Sequence, residues 1–217
     1  MINHTDMIEK SVVLPLRANG DVAYGGFYMN PEATFCMANG SRIVVELLPE
    51  SAPNTVASFI SCAKKGCLDG HAIERIVPGK WVDFSYTAFH SEDCRYLIPR
   101  ESELHPEIEP LDSHPGCVCM GGYGEMGNAG CEPFFPLKDC PEHKGVYPVF
   151  GKVVEGMEEL LRLEKIETKP VQTVYEGYVV DTPVEPQVIE RVELELYGVE
   201  YPEPVKMDHG WIPDTWK

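Results

Sequence analysis

Apolar and polar positions alternate along much of this chain with the two-residue period of half-buried strands, and twice give way to the longer period of a helix. "ATFCMANGSRIVVELL" (33–48) sets two apolar runs on either side of Asn39-Gly40. That dipeptide suits a type I′ hairpin, whose two central positions both need positive φ. "PESAPNTVASFISCAKKG" (49–66) then repeats Val56, Phe59, Ile60 and Ala63 at helical spacing. Pro53 fits the first turn, where a missing N–H costs nothing. Lys64 and Lys65 suit the negative end of the helix dipole, and Gly66 the left-handed position beyond it. "GHAIERIVPGKWVDFSY" (70–86) places the strand formers Ile73, Ile76, Val77 and Val82 around the turn dipeptide Pro78-Gly79.

Downstream, residues 87–115 are polar and carry four prolines, which predicts a loop with at most a short strand. "GCVCMGGYGEMGNAGC" begins as a strand and dissolves into a glycine-rich loop; "PFFPL" and "VFGKVV" read as strands. "EGMEELLRLEKI" is a second amphipathic helix through Met157, Leu160, Leu161 and Leu163. "TKPVQTVYEGYVVDTPVEP" reads as a long excursion. "QVIERVELELYG" alternates apolar and acidic positions, the signature of an antiparallel strand with one wet face. Residues 1–32, with "SVVLPL" as one short strand, read as an N-terminal extension packed on a domain of residues 33–198. Residues 199–217 form an aromatic and acidic tail that docks through Trp211, Ile212 and Trp216. Many short strands, two distant helices and hairpin turns predict a mainly β antiparallel barrel or sandwich with helical caps.

Charge narrows the partners. Eighteen basic residues face 35 acidic ones, a net charge of -17, and that field repels phosphate backbones, so no nucleic-acid partner is expected. No apolar run approaches the roughly 18 residues of a membrane helix, and no membrane association is expected. "MINHTDMIEK" lacks the apolar core of a secretory signal, so a cytoplasmic location is expected. The eight cysteines (Cys36, Cys62, Cys67, Cys94, Cys117, Cys119, Cys131, Cys140) are accordingly expected as reduced thiols. Cys117, Cys119, Cys131, Cys140, His114 and His143 can be drawn as a metal cluster, but they match no zinc spacing and no C-x-x-C occurs. Small buried hydrophobes account for them better, and no metal or cofactor is expected. "GGYGEMGNAG" follows no dinucleotide-binding pattern.

Three blocks in order carry a family likeness: "ELLPESAPNTVASF" (46–59), "RIVPG" (75–79) and "VFGKVVEGM" (149–157). With "HPGCVCM" and Phe134-Phe135 between them, the domain resembles the cyclophilin-type peptidyl-prolyl isomerases. The resemblance implies a closed eight-stranded antiparallel barrel capped by two helices. It also implies acceleration of X-Pro bond rotation in proline-containing peptide or protein clients. The family's active-site arginine falls on Arg75. Amide resonance sets a barrier of about 18–20 kcal/mol, so a catalyst gains by favouring the twisted amide. A guanidinium that donates to the prolyl nitrogen, or holds the moving carbonyl, keeps its charge throughout.

By motif position, Phe135 is the best match for the wall of the proline socket, with Phe134 as the alternate on the same strand. Trp81 and Met120 are further lining, and Gly121 and Gly122 lie along the substrate groove. Tyr147 falls where relatives carry His or Tyr, and His143 or Lys144 where they carry an aromatic or leucine. Several residues depart from the family pattern. Glu74 and Lys80 replace a histidine and a pocket aromatic, Asp83 the glutamine that supports the arginine, and Gly122 an asparagine that grips substrate. Glu132-Pro133 also departs from the usual pair. Asp83 is expected to pair with Arg75 and weaken catalysis. The departures keep a second reading open, a non-catalytic cyclophilin-fold module that holds a peptide or small molecule. A third is an oligomer made through the extension and tail.

Overall fold

The computed structural model describes residues 11–12, 28–85 and 92–217; the remainder of the expected N-terminal extension lies outside the described residues. β1 (Ser11–Val12) pairs with β2 (Tyr28–Met29). The chain continues through β3 (Glu32–Met37), β4 (Arg42–Leu47), α1 (Pro53–Lys64), β5 (His71–Ala72), β6 (Arg75–Val77), β7 (Trp81–Asp83), β8 (Leu97–Ile98) and α2 (Glu101–Leu104). It ends with β9 (Cys117–Gly122), β10 (Asn128–Pro136), β11 (Val149–Glu155), α3 (Met157–Leu163), β12 (Thr168–Gln172), β13 (Val179–Pro183) and β14 (Val188–Glu195).

Ten of these strands form one antiparallel sheet, in the order β5-β14-β3-β4-β11-β9-β10-β7-β6, with β8 also paired to β10. The two ends of that path, β5 and β6, are joined in sequence by only Ile73-Glu74. Ile73 still donates its N–H to Gln187 on the β14 side, at 2.8 Å. Among the described residues no ladder links β5 to β6, so the expected closed eight-stranded barrel is corrected to an open, curled sheet of ten strands.

Inside the curl, Phe35, Ile43, Val45, Leu47, Ile76, Val82, Phe84, Phe135 and Phe150 form the core, and α1 closes it with Val56, Phe59 and Ile60. Each such side chain contributes about 1.5–3 kcal/mol on burial. The glycine at the end of α1 behaves as the sequence predicts. Gly66 has φ +67, Gly66 N–H bonds Ala63 O and Cys67 N–H bonds Cys62 O, a Schellman ending.

Other features differ from the pattern reading. At Asn39-Gly40 only the glycine has positive φ, at +87. Gly40 N–H bonds Met37 O and Met37 N–H bonds Ser41 O, so a three-residue loop replaces the type I′ turn. The Asn39 side chain explains the choice, since it accepts from Ser41 N and donates to Glu159 on α3. Part of the glycine-rich loop belongs to β10, whose nine residues are all buried. The long excursion folds back as the β12–β13 hairpin. Cys67 and Cys94 are disulfide-bonded with Cα atoms 6.4 Å apart, which corrects the expectation that every thiol is reduced. In the tail, Trp216 is completely buried, whereas Trp211 stays partly exposed.

Candidate functional site

Cross-strand register builds the site. Arg75 lies directly opposite Asp83, Asp83 opposite Phe134, and Phe134 opposite Cys119. Residues directly opposite on neighbouring strands share a face, so arginine, carboxylate and phenylalanine stand in one row on the outer face of the sheet. The adjoining row, Ile76, Val82 and Phe135, faces the core.

That register overturns part of the motif assignment. Phe135 is fully buried, its ring 4.5 Å from Phe84 and 5.9 Å from Phe35. Phe134 instead faces the cleft. Met120 also points away, into the core, where its Sδ accepts the Glu132 N–H at 3.0 Å. Phe135 and Met120 are therefore corrected from cleft lining to core, because successive strand residues point to opposite faces.

The cleft encloses about 140 Å³. Four rings form its apolar side: Phe134 is 6.5 Å from Trp81, 5.7 Å from His143 and 5.6 Å from Tyr147, and His143 and Tyr147 are 4.9 Å apart. Burial pushes the His143 pKa down, so its ring is neutral at physiological pH. Gly121 and Gly122 reach the cleft as backbone. A Cβ on Gly121 would stand 2.9 Å from Glu132 Oε2, and one on Gly122 would stand 2.5 Å from Asn128 Nδ2. A side chain at either position would have to displace the end of a neighbouring polar side chain.

The polar side holds Arg75, Asp83 and Glu132. Arg75 Nη1 is 3.2 Å from Asp83 Oδ2. Its Cζ lies 5.5 Å from the Trp81 ring and 6.0 Å from that of Tyr178, on the β12–β13 connection, so two aromatic faces and a carboxylate hold the guanidinium. Lys80 Nζ is 5.8 Å from the Trp81 ring. Burial raises the Asp83 pKa to about 6, while Arg75 and hydrogen bonding with Trp81 oppose the rise. Burial raises Glu132 further, to about 8, against hydrogen bonds donated by Tyr123 Oη and Trp216 Nε1, each at 2.8 Å to Oε1. At neutral pH Asp83 is largely ionised and Glu132 carries a proton.

Ser85, Tyr123 and Glu132 line the cleft but were not among the residues assigned from motifs. One signal was available for Glu132: a carboxylate inside the apolar run "CEPFFP" must either be paired or lose its charge. No local pattern marks the Trp216 contact, which spans 84 positions.

The match to known proteins is consistent with this geometry. Residues 34–194 fit the family described as cyclophilin type peptidyl-prolyl cis-trans isomerase/CLD. The chain belongs to that family. Peptidyl-prolyl cis-trans isomerase B of Bacillus subtilis (strain 168) is 33% identical over 135 residues, which cover 57% of this chain and 84% of that protein. A probable peptidyl-prolyl cis-trans isomerase of Brucella suis is 27% identical over 144 residues, 63% of this chain and 74% of the relative. A cyclophilin-type isomerase of Cryptosporidium parvum, crystallised in the presence of the dipeptide Ala-Pro, superposes with a TM-score of 0.57 at 17% identity; the likeness covers 76% of this chain and 98% of the other, and it speaks for the fold. In this cyclophilin the buried Trp216 lies beyond the matched residues, so a segment outside the family region reaches the cleft carboxyl.

Proposed function

We propose that this chain catalyses cis-trans isomerisation of X-Pro bonds, with Arg75 as the catalytic residue and the proline ring seated against Phe134, Trp81, His143 and Tyr147. The observation that carries the reading is the shared row of Arg75, Asp83 and Phe134, which sets a fixed cation beside an apolar hollow. The guanidinium donates to the prolyl nitrogen or the turning carbonyl, and the rings exclude water from the twisted amide. Gly121 and Gly122 offer backbone to the peptide. Asp83 holds Arg75 in place and draws off part of its field. The neutral Glu132, with Oε1 already occupied by two donors, has an O–H to offer a substrate carbonyl.

The clients are proline-containing peptides or proteins, and the role is assistance of folding in the cytoplasm. No helix among the described residues is long and apolar enough to cross a membrane. A peptide-binding module without catalysis is the competing reading, favoured by the Arg75–Asp83 ion pair. A protease-coupled assay on an Ala-Pro peptide decides between them. The isomerase reading expects Arg75→Ala to lower kcat/KM by roughly 10²–10³. Equal rates for wild type, Arg75→Ala and the uncatalysed control, with peptide binding retained, establish the module instead.

A further inference from the structure

Three cysteine sulfurs meet beside the end of α1, outside the lining of the cleft, and a fourth cysteine is joined to one of them by a hydrogen bond. Cys62 lies in α1, Cys67 just beyond its end, Cys94 in the turn Glu92–Cys94 and Cys131 in β10, and all four are completely buried. The sulfurs of Cys62, Cys67 and Cys94 lie within 4.8 Å of one another. Cys131 is hydrogen-bonded to Cys62, and Tyr96 Oη is 3.3 Å from Cys62 Sγ. The Cys67–Cys94 disulfide uses two of these sulfurs and leaves the convergence of the other two unexplained.

We propose that these four residues form a metal site in the reduced protein, with Cys62, Cys67, Cys94 and Cys131 as ligands to a thiophilic tetrahedral cation such as Zn²⁺. A dithiol reductant opens the Cys67–Cys94 bond: the reductant gives up two electrons and two protons and becomes a disulfide, and two cysteine thiols form. Metal binding then displaces the thiol protons. Zinc–sulfur bonds of about 2.3 Å put tetrahedral ligand sulfurs about 3.8 Å apart; Cys62, Cys67 and Cys94 already stand within 4.8 Å of one another, and Cys131 adjoins Cys62 through its hydrogen bond. Four thiolates around Zn²⁺ leave a net negative charge. Lys206, whose Nζ sits 4.0 Å over the Tyr96 ring, and Lys65, at the C-cap of α1, supply nearby positive charge. The disulfide and the metal are mutually exclusive because both need Cys67 and Cys94. Either one ties the end of α1 to the chain beyond β7, across a separation of 27 residues that contains Arg75, Trp81 and Asp83.

The test uses the full chain, expressed with zinc and purified in a phosphine reductant, then dialysed against dilute chelator. Elemental analysis measures zinc, and Co²⁺ replacement reports thiolate-to-metal charge-transfer bands and tetrahedral d–d bands. The expected result is one metal per chain with both signatures, lost in Cys62→Ala and in Cys131→Ala and kept in Cys36→Ala. Circular dichroism verifies that each variant is folded, and neither ligand substitution touches the disulfide pair. A rise in thermal midpoint on adding Zn²⁺ to reduced wild type, absent in Cys62→Ala, gives an independent reading. The proposal is overturned if reduced wild type holds no metal, if Cys62→Ala binds it equally, or if the Co²⁺ form lacks thiolate bands.

Discussion

Arg75 and Asp83 face each other directly across the β6–β7 ladder, with Nη1 3.2 Å from Oδ2. The ion pair orients the guanidinium but also spends part of its field on a carboxylate instead of a twisting amide. Replacing the carboxylate by the amide of glutamine, one methylene longer, keeps a hydrogen-bond partner and removes the charge. Asp83→Gln is therefore expected to raise kcat/KM about fivefold, the equivalent of about 1 kcal/mol of restraint. Steady-state assays on an Ala-Pro peptide check this, and an unchanged or lower rate refutes it.

The same pair sets a pH dependence. The Asp83 pKa is raised to about 6, so acidification through that value neutralises the carboxyl and releases Arg75. As pH falls from 7 to 5, the ratio of wild-type to Asp83→Gln kcat/KM is expected to climb, since the titration of His143 is common to both proteins. Parallel pH–rate profiles with an acid-tolerant coupling protease make the comparison. Two profiles of the same shape rule the mechanism out.

Phe134 and Phe135 separate binding from stability. Phe134→Ala removes a cleft wall at the outer face and is expected to raise KM for the Ala-Pro peptide with modest loss of stability. Phe135→Ala empties a position packed against Phe35 and Phe84, and is expected to cost about 3–5 kcal/mol of unfolding free energy. Urea unfolding with kinetics on both variants distinguishes the two roles; a reversed pattern returns Phe135 to the socket.

Glu132 adds a pH-dependent contribution to stability. Its folded pKa of about 8 lies above the ordinary carboxyl value, so the fold holds a proton that the unfolded chain gives up. That contribution is complete below the unfolded pKa and disappears as pH rises through about 8, at a slope of at most about 1.4 kcal/mol per pH unit. Glu132→Gln is expected to flatten this part of the curve. Urea midpoints of wild type minus variant at several pH values isolate the effect, and a difference independent of pH argues against it.

Local chemistry made a good part of the molecule legible in the sequence. Pro53, the Val56–Phe59–Ile60–Ala63 stripe and Gly66 delimit α1 because capping and periodicity act over a few residues. Ile76 and Val82 around Pro78-Gly79 give the hairpin, and the position of Arg75 inside it follows from the motif. The β12–β13 hairpin was less visible, since its strands are exposed and carry little apolar alternation.

What tertiary structure alone decided was the partnering of distant strands and sulfurs. Alternation says that Phe134 and Phe135 face opposite ways, but only the register of β10 against β7 says which one meets Asp83. Spacing rules missed the meeting of Cys62 and Cys67 with Cys94 and the bond from Cys62 to Cys131, and the docking expected of Trp216 carried no sign of its partner Glu132, because these contacts join residues far apart in the chain. Periodicity and capping report what a segment needs from its surroundings; the identity of the surroundings is fixed only when the whole sheet curls and its faces are assigned.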